Sequence, residues 1–493
     1  MNKKMQALVI DDEPQVRGFV AKILREEGWE VTEAETAEQA FELFCARKWS
    51  LVFCDVLLGG ADGFQVLSRF TAEQPGAQVV LMTGQGSAAG ALNATSRGAY
   101  DYLMKPFGVS GVLSVAQAVS RSVRESLSSA AGEEAPNASV HLPDIGLIGS
   151  SATFVEVMKL VGRVAPSSLP VLIMGESGTG KEIVADVIHR HSDRANQPYV
   201  TVNCGALPAD LIESELFGHV RGSFTSAERD RRGLFEEATN GTIFLDEITE
   251  TSPAFQVKLL RALQKGEIRR VGSNQVTRIN VRVVAASNRD VEEEVRQGRF
   301  RQDLLYRLNA VTIHLPPLRE RREDILPLAK HFASRLRTVA DTPPVFSRET
   351  AFLLENYPWP GNIRELENAM SRASILCDRI VRPEDLPARV QRYAASLGKE
   401  DSASASEAAP HKDGEWPSLS EMEGRYVARV LAYTGGNKQS AARLLRVDPK
   451  TLDRMIKRHH LLSRRASDRA DVSRVSPDML PDTSLSDQAT QSF

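Results

Sequence analysis

Leu169-Pro-Val-Leu-Ile-Met-Gly-Glu-Ser-Gly-Thr-Gly-Lys-Glu182 is the stretch from which the rest of the chain is read. A short apolar run, Val171 to Met174, empties into a loop carrying Gly175, Gly178 and Gly180, and Ile183, Val184, Val187 and Ile188 follow at helical spacing. That order predicts strand, phosphate loop and helix. Glycines let backbone N–H groups turn inward around phosphate oxygens, Lys181 reaches the outer phosphates, and the helix start adds partial positive charge. The expected nucleotide-binding set is therefore Gly175, Glu176, Ser177, Gly178, Thr179, Gly180, Lys181 and Glu182. Glu182 stands where the pattern has Ser or Thr, so the usual hydroxyl ligand to Mg²⁺ is missing and the metal must be held mainly from elsewhere. Gly241-Thr-Ile-Phe-Leu-Asp-Glu-Ile supplies the partner, an apolar strand ending in Asp246 to hold Mg²⁺ and Glu247 to orient the attacking water.

A chain of 493 residues suggests roughly three domains of ordinary size. No apolar run approaches the ~20 residues needed to span a membrane. The four cysteines, Cys45, Cys54, Cys204 and Cys377, lack metal-ligand spacing, and the N-terminus does not resemble a signal peptide. A reducing cytoplasm and no membrane partner are expected. The net charge of −3 hides an uneven spread, because Asn437 to Arg465 holds nine Lys or Arg against two Asp. A basic end points to nucleic acid.

Near the N-terminus, Ala7-Leu-Val-Ile reads as a buried strand stopping at Asp11, Asp12 and Glu13, and Pro14 opens a helix ended by Gly28. Further strands read at Leu51 to Cys54, Val79 to Met82 and Tyr102 to Met104. Alternating strands and helices imply a parallel sheet with its functional groups at the strands' carboxyl ends. Asp11, Asp12 and Asp55 there can bind Mg²⁺, with Asp55 as carboxylate nucleophile, while Thr83 and Lys105 can steady phosphoryl oxygens. These residues, with Leu-Met-Thr-Gly and Asp-Tyr-Leu-Met-Lys-Pro-Phe, resemble a response-regulator receiver domain. The resemblance implies phosphorylation at Asp55 by a sensor histidine kinase and movement of Thr83 and Tyr102 in response. Gly59, where that family usually has Pro, is expected to alter only loop stiffness.

The central pieces resemble bacterial enhancer-binding proteins of the NtrC type, the AAA+ activators of sigma-54 RNA polymerase. Ile148-Gly-Ser-Ser opens the domain as theirs does. By that likeness Asn203 hydrogen-bonds Glu247 and withholds it until ATP is engaged, Asn288 is the polar sensor near the γ-phosphate, and Arg364 is the second sensor. Arg301 and Arg307, read on one helix, are the arginine fingers given to a neighbour's ATP, which implies a ring, expected to be hexameric. Another pairing for these arginines is with acids such as Glu292 to Glu294. Phe224 and Thr225, in Glu215-Leu-Phe-Gly-His-Val-Arg-Gly-Ser-Phe-Thr-Ser-Ala, match the loop that contacts sigma-54, with Ser223 and Ser226 replacing Ala and Gly.

Toward the C-terminus, helical periodicity resumes at Met422, halts at Gly435-Gly436 and continues to Leu445, after which Asp448 and Pro449 can start a last, basic helix. Gly436-Asn-Lys-Gln-Ser-Ala-Ala-Arg-Leu-Leu with Lys450-Thr-Leu is similar to the Fis-type domain that ends such activators. Arg446 stands where the turn glycine is usual. Lys450, Thr451 and Arg454 are candidates for base edges, and Lys457 and Arg458 for phosphates.

The expected fold is multidomain α/β: a (βα)5 receiver over 1–122, a linker over 123–144, an AAA+ P-loop domain with helical lid over 145–388, a linker over 389–416, an all-α helix-turn-helix over 417–463 and a disordered tail over 464–493. The function implied is a two-component transcriptional activator that binds upstream DNA as dimers, assembles a ring and hydrolyses ATP to open the sigma-54 polymerase complex. An alternative is a DNA-binding regulator that uses ATP for assembly and does not engage sigma-54. A metabolic P-loop kinase fits less well, because no acceptor pocket is legible beside Asp246.

Overall fold

The computed structural model describes residues 5–459 apart from 45–46, 60, 127–146, 207, 224–226, 228, 336–343, 378, 395–417 and 435–436. The chain divides into two compact units, Met1–Gln391 and Arg392–Phe493. The first unit contains two parallel five-stranded sheets.

The N-terminal sheet is built from β1 (Gln6–Ile10), α1 (Pro14–Glu26), β2 (Glu30–Ala34), α2 (Ala37–Phe44) and β3 (Leu51–Asp55). It continues through a small hairpin, β4 (Leu57–Leu58) and β5 (Ala61–Asp62), then α3 (Gly63–Glu73), β6 (Gln78–Thr83), α4 (Ala88–Ser96), β7 (Asp101–Met104) and α5 (Val109–Ser126). The strand order is β2-β1-β3-β6-β7. β1 and β3 are apolar runs with helices on both faces, as a sheet covered on both sides requires. β2 lies at the edge with a mixed, half-exposed pattern, and this strand is the one that hydrophobic runs alone do not place.

The second sheet begins after α6 (Ala152–Val164). Its first members are β8 (Val171–Met174), α7 (Lys181–Arg190), β9 (Tyr199–Asn203), α8 (Ala209–Phe217), α9 (Leu234–Glu237) and β10 (Thr242–Asp246). α10 (Pro253–Lys265), the hairpin β11 (Glu267–Arg269) and β12 (Val276–Arg278), β13 (Arg282–Ser287), α11 (Val291–Arg296), α12 (Gln302–Leu308) and β14 (Val311–His314) complete it. The order β14-β8-β13-β10-β9 puts the phosphate-loop strand beside β13, with β10 one strand further on. A lid of α13 (Arg322–Arg335), α14 (Arg348–Asn356) and α15 (Asn362–Leu376), with the strand pair β15 (Val345–Phe346) and β16 (Ile380–Val381), follows.

The second unit holds α16 (Leu419–Tyr433), α17 (Lys438–Leu445) and α18 (Pro449–Arg458) around Val427, Ala441, Ala442, Leu452 and Ile456. Two alanines at the buried face let the helices approach closely. Asn437 caps α17 by accepting from Gln439 and Ser440 N–H, and Asp448 caps α18 by accepting from Lys450 N–H. Such caps are worth about 1 kcal/mol each. Between them Arg446 takes the left-handed conformation, φ 53°, that a glycine would adopt without strain. The linkers expected over 123–144 and 389–416 begin in helix, at the end of α5 and within 388–394, and their later residues, with the tail expected over 464–493, lie outside the described residues.

Candidate functional sites

In the N-terminal sheet, β1, β3, β6 and β7 deliver Asp11, Asp55, Thr83 and Lys105 to one edge. Lys105 Nζ lies 2.8 Å from Asp55 Oδ2, 2.9 Å from Asp11 Oδ2 and 3.1 Å from Glu13 Oε1. Burial disfavours the Lys105 ammonium, but its hydrogen bonds to Asp55 and Asp11 outweigh that and hold its pKa above the ordinary lysine range. Burial pushes the Asp11 carboxyl up, with the Lys105 hydrogen bond opposing it. Carboxylate oxygens of Asp11, Asp12 and Asp55 all lie within 4.8 Å of one another. That donor set suits a hard divalent cation such as Mg²⁺, which binds through carboxylate oxygen. Thr83 Oγ1 accepts from Gln85 N–H at 3.2 Å, and the Thr83 side chain also hydrogen-bonds Tyr102. Gly59 has φ +35°, which the proline ring cannot reach, so its presence changes the path of the turn as well as its stiffness.

In the second sheet, the phosphate loop runs from β8 to α7, and Gly178 and Gly180 have φ +78° and +96°. Lys181, buried, donates to the carbonyls of Gly175 at 2.8 Å and Glu176 at 2.9 Å. Burial lowers its pKa, Asp246 and Glu247 oppose that shift, and Arg364 adds to it. Asp246, Glu247 and Arg364 are therefore close enough to Lys181 to act on its charge. Asp246 ends β10 and its Oδ1 accepts from Glu247 N–H at 3.0 Å, while Glu247 takes a left-handed φ of 53° that turns it off the strand. A carboxylate at that strand end can ligate Mg²⁺; Glu182 is exposed on α7 and adds no hydroxyl.

Asn203 pairs in register with Asp246, but it does not bond Glu247 as the resemblance implies. Its Oδ1 accepts from Gly205 N–H at 2.8 Å, and the Glu247 carboxylate lies over Gly205, where any Cβ would stand 2.5 Å from Oε2. Asn288 is exposed just beyond β13, and Arg364 Nη1 reaches Ser177 Oγ at 3.5 Å.

The two candidate finger arginines do not share a helix. Arg301 precedes α12 as its cap residue, because Phe300 is buried and the chain turns there, and only Arg307 lies within the helix. Arg301 pairs with Asp303 at 2.7 Å, whereas Glu294 is taken by Arg299. Arg307 Nε donates to the Leu263 carbonyl at 3.3 Å. Neither arginine bonds the phosphate loop or the β10 acids.

Two residues that the motifs do not flag fasten the lid to the loop. Asn362, buried at φ 52°, donates to Glu176 Oε2 at 3.1 Å and to the Ser177 carbonyl at 3.0 Å, and its Oδ1 accepts from Leu318 N–H. Arg319 forms a two-pronged pair with Glu176 at 2.9 and 2.6 Å. Left-handed asparagine beside a glycine was the only local hint.

Phe224 and Thr225 lie outside the described residues. The residues before them are anchored: Val220 N–H donates to the Val271 carbonyl at 3.1 Å, beside the β11–β12 hairpin. In the second unit Lys450, Thr451, Arg454, Lys457 and Arg458 are all exposed on α18, at spacings that keep them on one face. Arg458 leans toward Glu423 at 3.8 Å.

Four family models match in order: the response regulator receiver domain over residues 7–117, the sigma-54 interaction domain over 147–314, the AAA+ ATPase lid domain over 319–403 and the Fis family of bacterial regulatory proteins over 418–459. The transcriptional regulatory protein ZraR of Klebsiella oxytoca is 41% identical over 455 residues, 91% of this chain and 98% of that protein. The chain belongs to the NtrC-type sigma-54-dependent response regulators. The DNA-binding transcriptional regulator NtrC of Klebsiella pneumoniae is 36% identical over 468 residues, covering 92% of this chain and 98% of its own. The structure of NtrX from Brucella abortus in complex with ADP aligns over 93% of this chain and 100% of that chain, with 29% identity and a TM-score of 0.47. Family membership carries with it a receiver, a nucleotide-binding AAA+ domain with its lid and a DNA-binding helix-turn-helix. Among the described residues, no helix is long and apolar enough to cross a membrane.

Proposed function

We propose that this chain is a cytoplasmic transcriptional activator controlled by phosphorylation at Asp55 and driven by ATP hydrolysis at the second sheet. The observation that carries the reading is a phosphate loop that holds Lys181, meets Arg364 at Ser177 and faces the acids Asp246 and Glu247 at the end of β10, while Arg301 and Arg307 bond elsewhere. A phosphate site with its lysine, acids and sensor but no finger is half of a site shared between neighbours, because phosphoryl transfer needs positive charge opposite the transferred group.

At the receiver, Asp11, Asp12 and Asp55 would hold Mg²⁺, which would supply charge to neutralise phosphoryl oxygens; Asp55 accepts the phosphoryl group from a sensor kinase and Lys105 steadies the product. Thr83 then turns toward the phosphoryl group and away from Tyr102. At the ATPase site Lys181 holds the outer phosphates, Asp246 would hold Mg²⁺, Glu247 orients water, Asn203 restrains Glu247 until ATP is engaged, Asn288 senses the γ-phosphate, and Arg301 or Arg307 enters from the next subunit of a ring, expected to be a hexamer. Lys450, Thr451 and Arg454 read base edges upstream of the promoter, while Lys457 and Arg458 contact phosphate. Phe224 and Thr225 carry the force to sigma-54 polymerase.

Open-complex formation with purified sigma-54 polymerase, the phosphorylated chain and ATP tests the whole reading. Phe224→Ala should leave ATP turnover and DNA binding within a few fold and abolish capture of sigma-54 with a transition-state analogue, since one aromatic anchor can contribute ~2 kcal/mol or more to a small interface. If the unaltered chain fails to open the promoter while Ser226→Gly succeeds, the alternative gains: a DNA-binding regulator that assembles with ATP and does not engage sigma-54.

A further inference from the structure

A basic groove runs along the lid. Arg364, Asn368 and Arg372 follow one another at four-residue spacing on α15, which sets them in a row on one side of the helix. Across from that row a short helix over 388–394 contributes Arg389 and Val390, and the space between the two walls is about 660 Å³. Ligand pockets commonly enclose about 300–1,000 Å³. The apolar part of the lining is Trp359, Ala369 and Val390, all buried, whereas the three arginines are exposed. Lys181, Asp246, Glu247 and Asn288 do not line this groove.

The arginines have no acid of their own. Among the described residues none of Arg364, Arg372 and Arg389 forms an ion pair. The carboxylate that lines the groove, Glu365, is already engaged, accepting from Gly361 N–H at 2.8 Å and from the Tyr357 hydroxyl at 3.4 Å. Three charges of one sign beside an apolar wall focus an attractive potential on anions. Each guanidinium offers a planar fork of N–H groups that fits two oxygens of one phosphate, so three of them around one groove suit several linked phosphates better than a single carboxylate.

One end of the groove is the phosphate loop itself. Ser177 lines it, 3.5 Å from Arg364 Nη1. The start of α15 is fixed there, because Ile363 N–H donates to the Gly178 carbonyl at 2.9 Å and a Cβ at Gly178 would collide with the Gly361 carbonyl. Arg364 thus stands between two places where phosphate can sit, and a guanidinium that grips a phosphate in one is withdrawn from the other.

We propose that the groove between α15 and 388–394 is a second anion site, for an oligophosphate that is either free or the phosphate end of a nucleotide. Its occupation holds Arg364 on the lid side and lowers ATP turnover. The effect on turnover rests on the ATPase reading above, whereas the binding site does not.

Calorimetry on the full chain carrying Lys181→Ala, in chelator, separates the groove from the phosphate loop, with tripolyphosphate and ADP as probes. Tripolyphosphate should bind once per chain. Adding Arg372→Gln and Arg389→Gln should weaken it at least tenfold, while adding Lys457→Ala instead should leave it within twofold, which distinguishes the groove from the basic face of α18. No binding to the Lys181→Ala chain, or a smaller loss from the two arginine changes than from Lys457→Ala, would overturn the site. ADP bound more tightly than tripolyphosphate assigns the nucleotide as the source, and ADP bound more weakly assigns the free oligophosphate. With Lys181 intact and Mg²⁺ in excess, tripolyphosphate should lower turnover at saturating ATP at least threefold. The Arg372→Gln, Arg389→Gln chain should turn over ATP within twofold of the unaltered chain and resist the inhibitor. Equal inhibition of both chains would overturn the link through Arg364. Turnover absent from every chain would instead count against the ATPase reading, and calorimetry alone would then decide the site.

Discussion

Both sheets of the first unit gather acids and a lysine at the carboxyl ends of parallel strands, yet they are finished to different degrees. In the receiver, Lys105 already touches Asp55 and Asp11, so the groups that meet a phosphoryl group are assembled before one arrives. In the ATPase, Lys181 is bonded to carbonyls of its own loop and Arg307 to the Leu263 carbonyl. On the proposed reading the first site has one event to perform, the acceptance of a phosphoryl group. On the same reading the second has to cycle, and a site that lacks its arginine until a neighbour supplies it would hydrolyse ATP only when assembled.

The largest effect that could break this contrast belongs to Arg307→Ala. A finger supplied by a neighbour is worth about 10³-fold or more in turnover, so the variant should lose that much while still binding nucleotide. Mixing it with Glu247→Gln chains should restore part of the rate, because some boundaries then combine an intact acid with an intact arginine. If no mixing ratio restores hydrolysis, the site is not shared in this way and the two sheets differ less than their geometry suggests.

Next in size is Glu247→Gln alone. Loss of a residue that orients and deprotonates water typically lowers turnover about 10² to 10⁴-fold. Nucleotide binding should persist, whereas Lys181→Ala should lose binding as well, since its ammonium is the charge aimed at the phosphates. Equal binding defects in the two variants, read by nucleotide fluorescence, would erase the division between holding phosphate and activating water.

Much of this was legible in sequence because the signals are local. A glycine loop between an apolar strand and a helix, or acids directly after a strand, are written within a dozen residues. β2 was not placed, since an edge strand with half-exposed side chains has no apolar run. Asn362 and Arg319 escaped because what makes them matter is Glu176, far away in the chain and brought near only by the lid. Asn203 shows the limit at the level of a single bond: its amide oxygen accepts from Gly205 N–H, a placement of the side chain that no local pattern specifies. The contact of α6 with α4, where a Cβ at Gly162 would collide with Thr95 Oγ1, left one trace, a glycine inside an otherwise strong helical pattern, and such a glycine signals close packing without naming the partner.

The smallest effect concerns the cost of the finished site. Asp11, Asp12 and Asp55 crowd their carboxylates within 4.8 Å, and Asp11 is fully buried with Lys105 as its cationic partner. Like charges so close oppose one another, and burial raises the Asp11 pKa, which marks the ionised form as the disfavoured one. Asp11→Asn removes one charge from the crowd and keeps the shape of the side chain, while Lys105 retains Asp55 and Glu13. In chelator the receiver should therefore become more stable, by on the order of 1 kcal/mol, read as slower hydrogen exchange in β1 and β3 of the full chain. With Mg²⁺ present the order should reverse, because the unaltered site gains the free energy of metal binding and the variant, short of one ligand, gains less. Among the described residues the ATPase sheet holds no such crowd, and Asp246→Asn should leave its exchange in chelator nearly unchanged. A variant receiver that is less stable with chelator and Mg²⁺ alike would mean that Asp11 is held for packing and hydrogen bonding, and that preassembly carries no electrostatic cost.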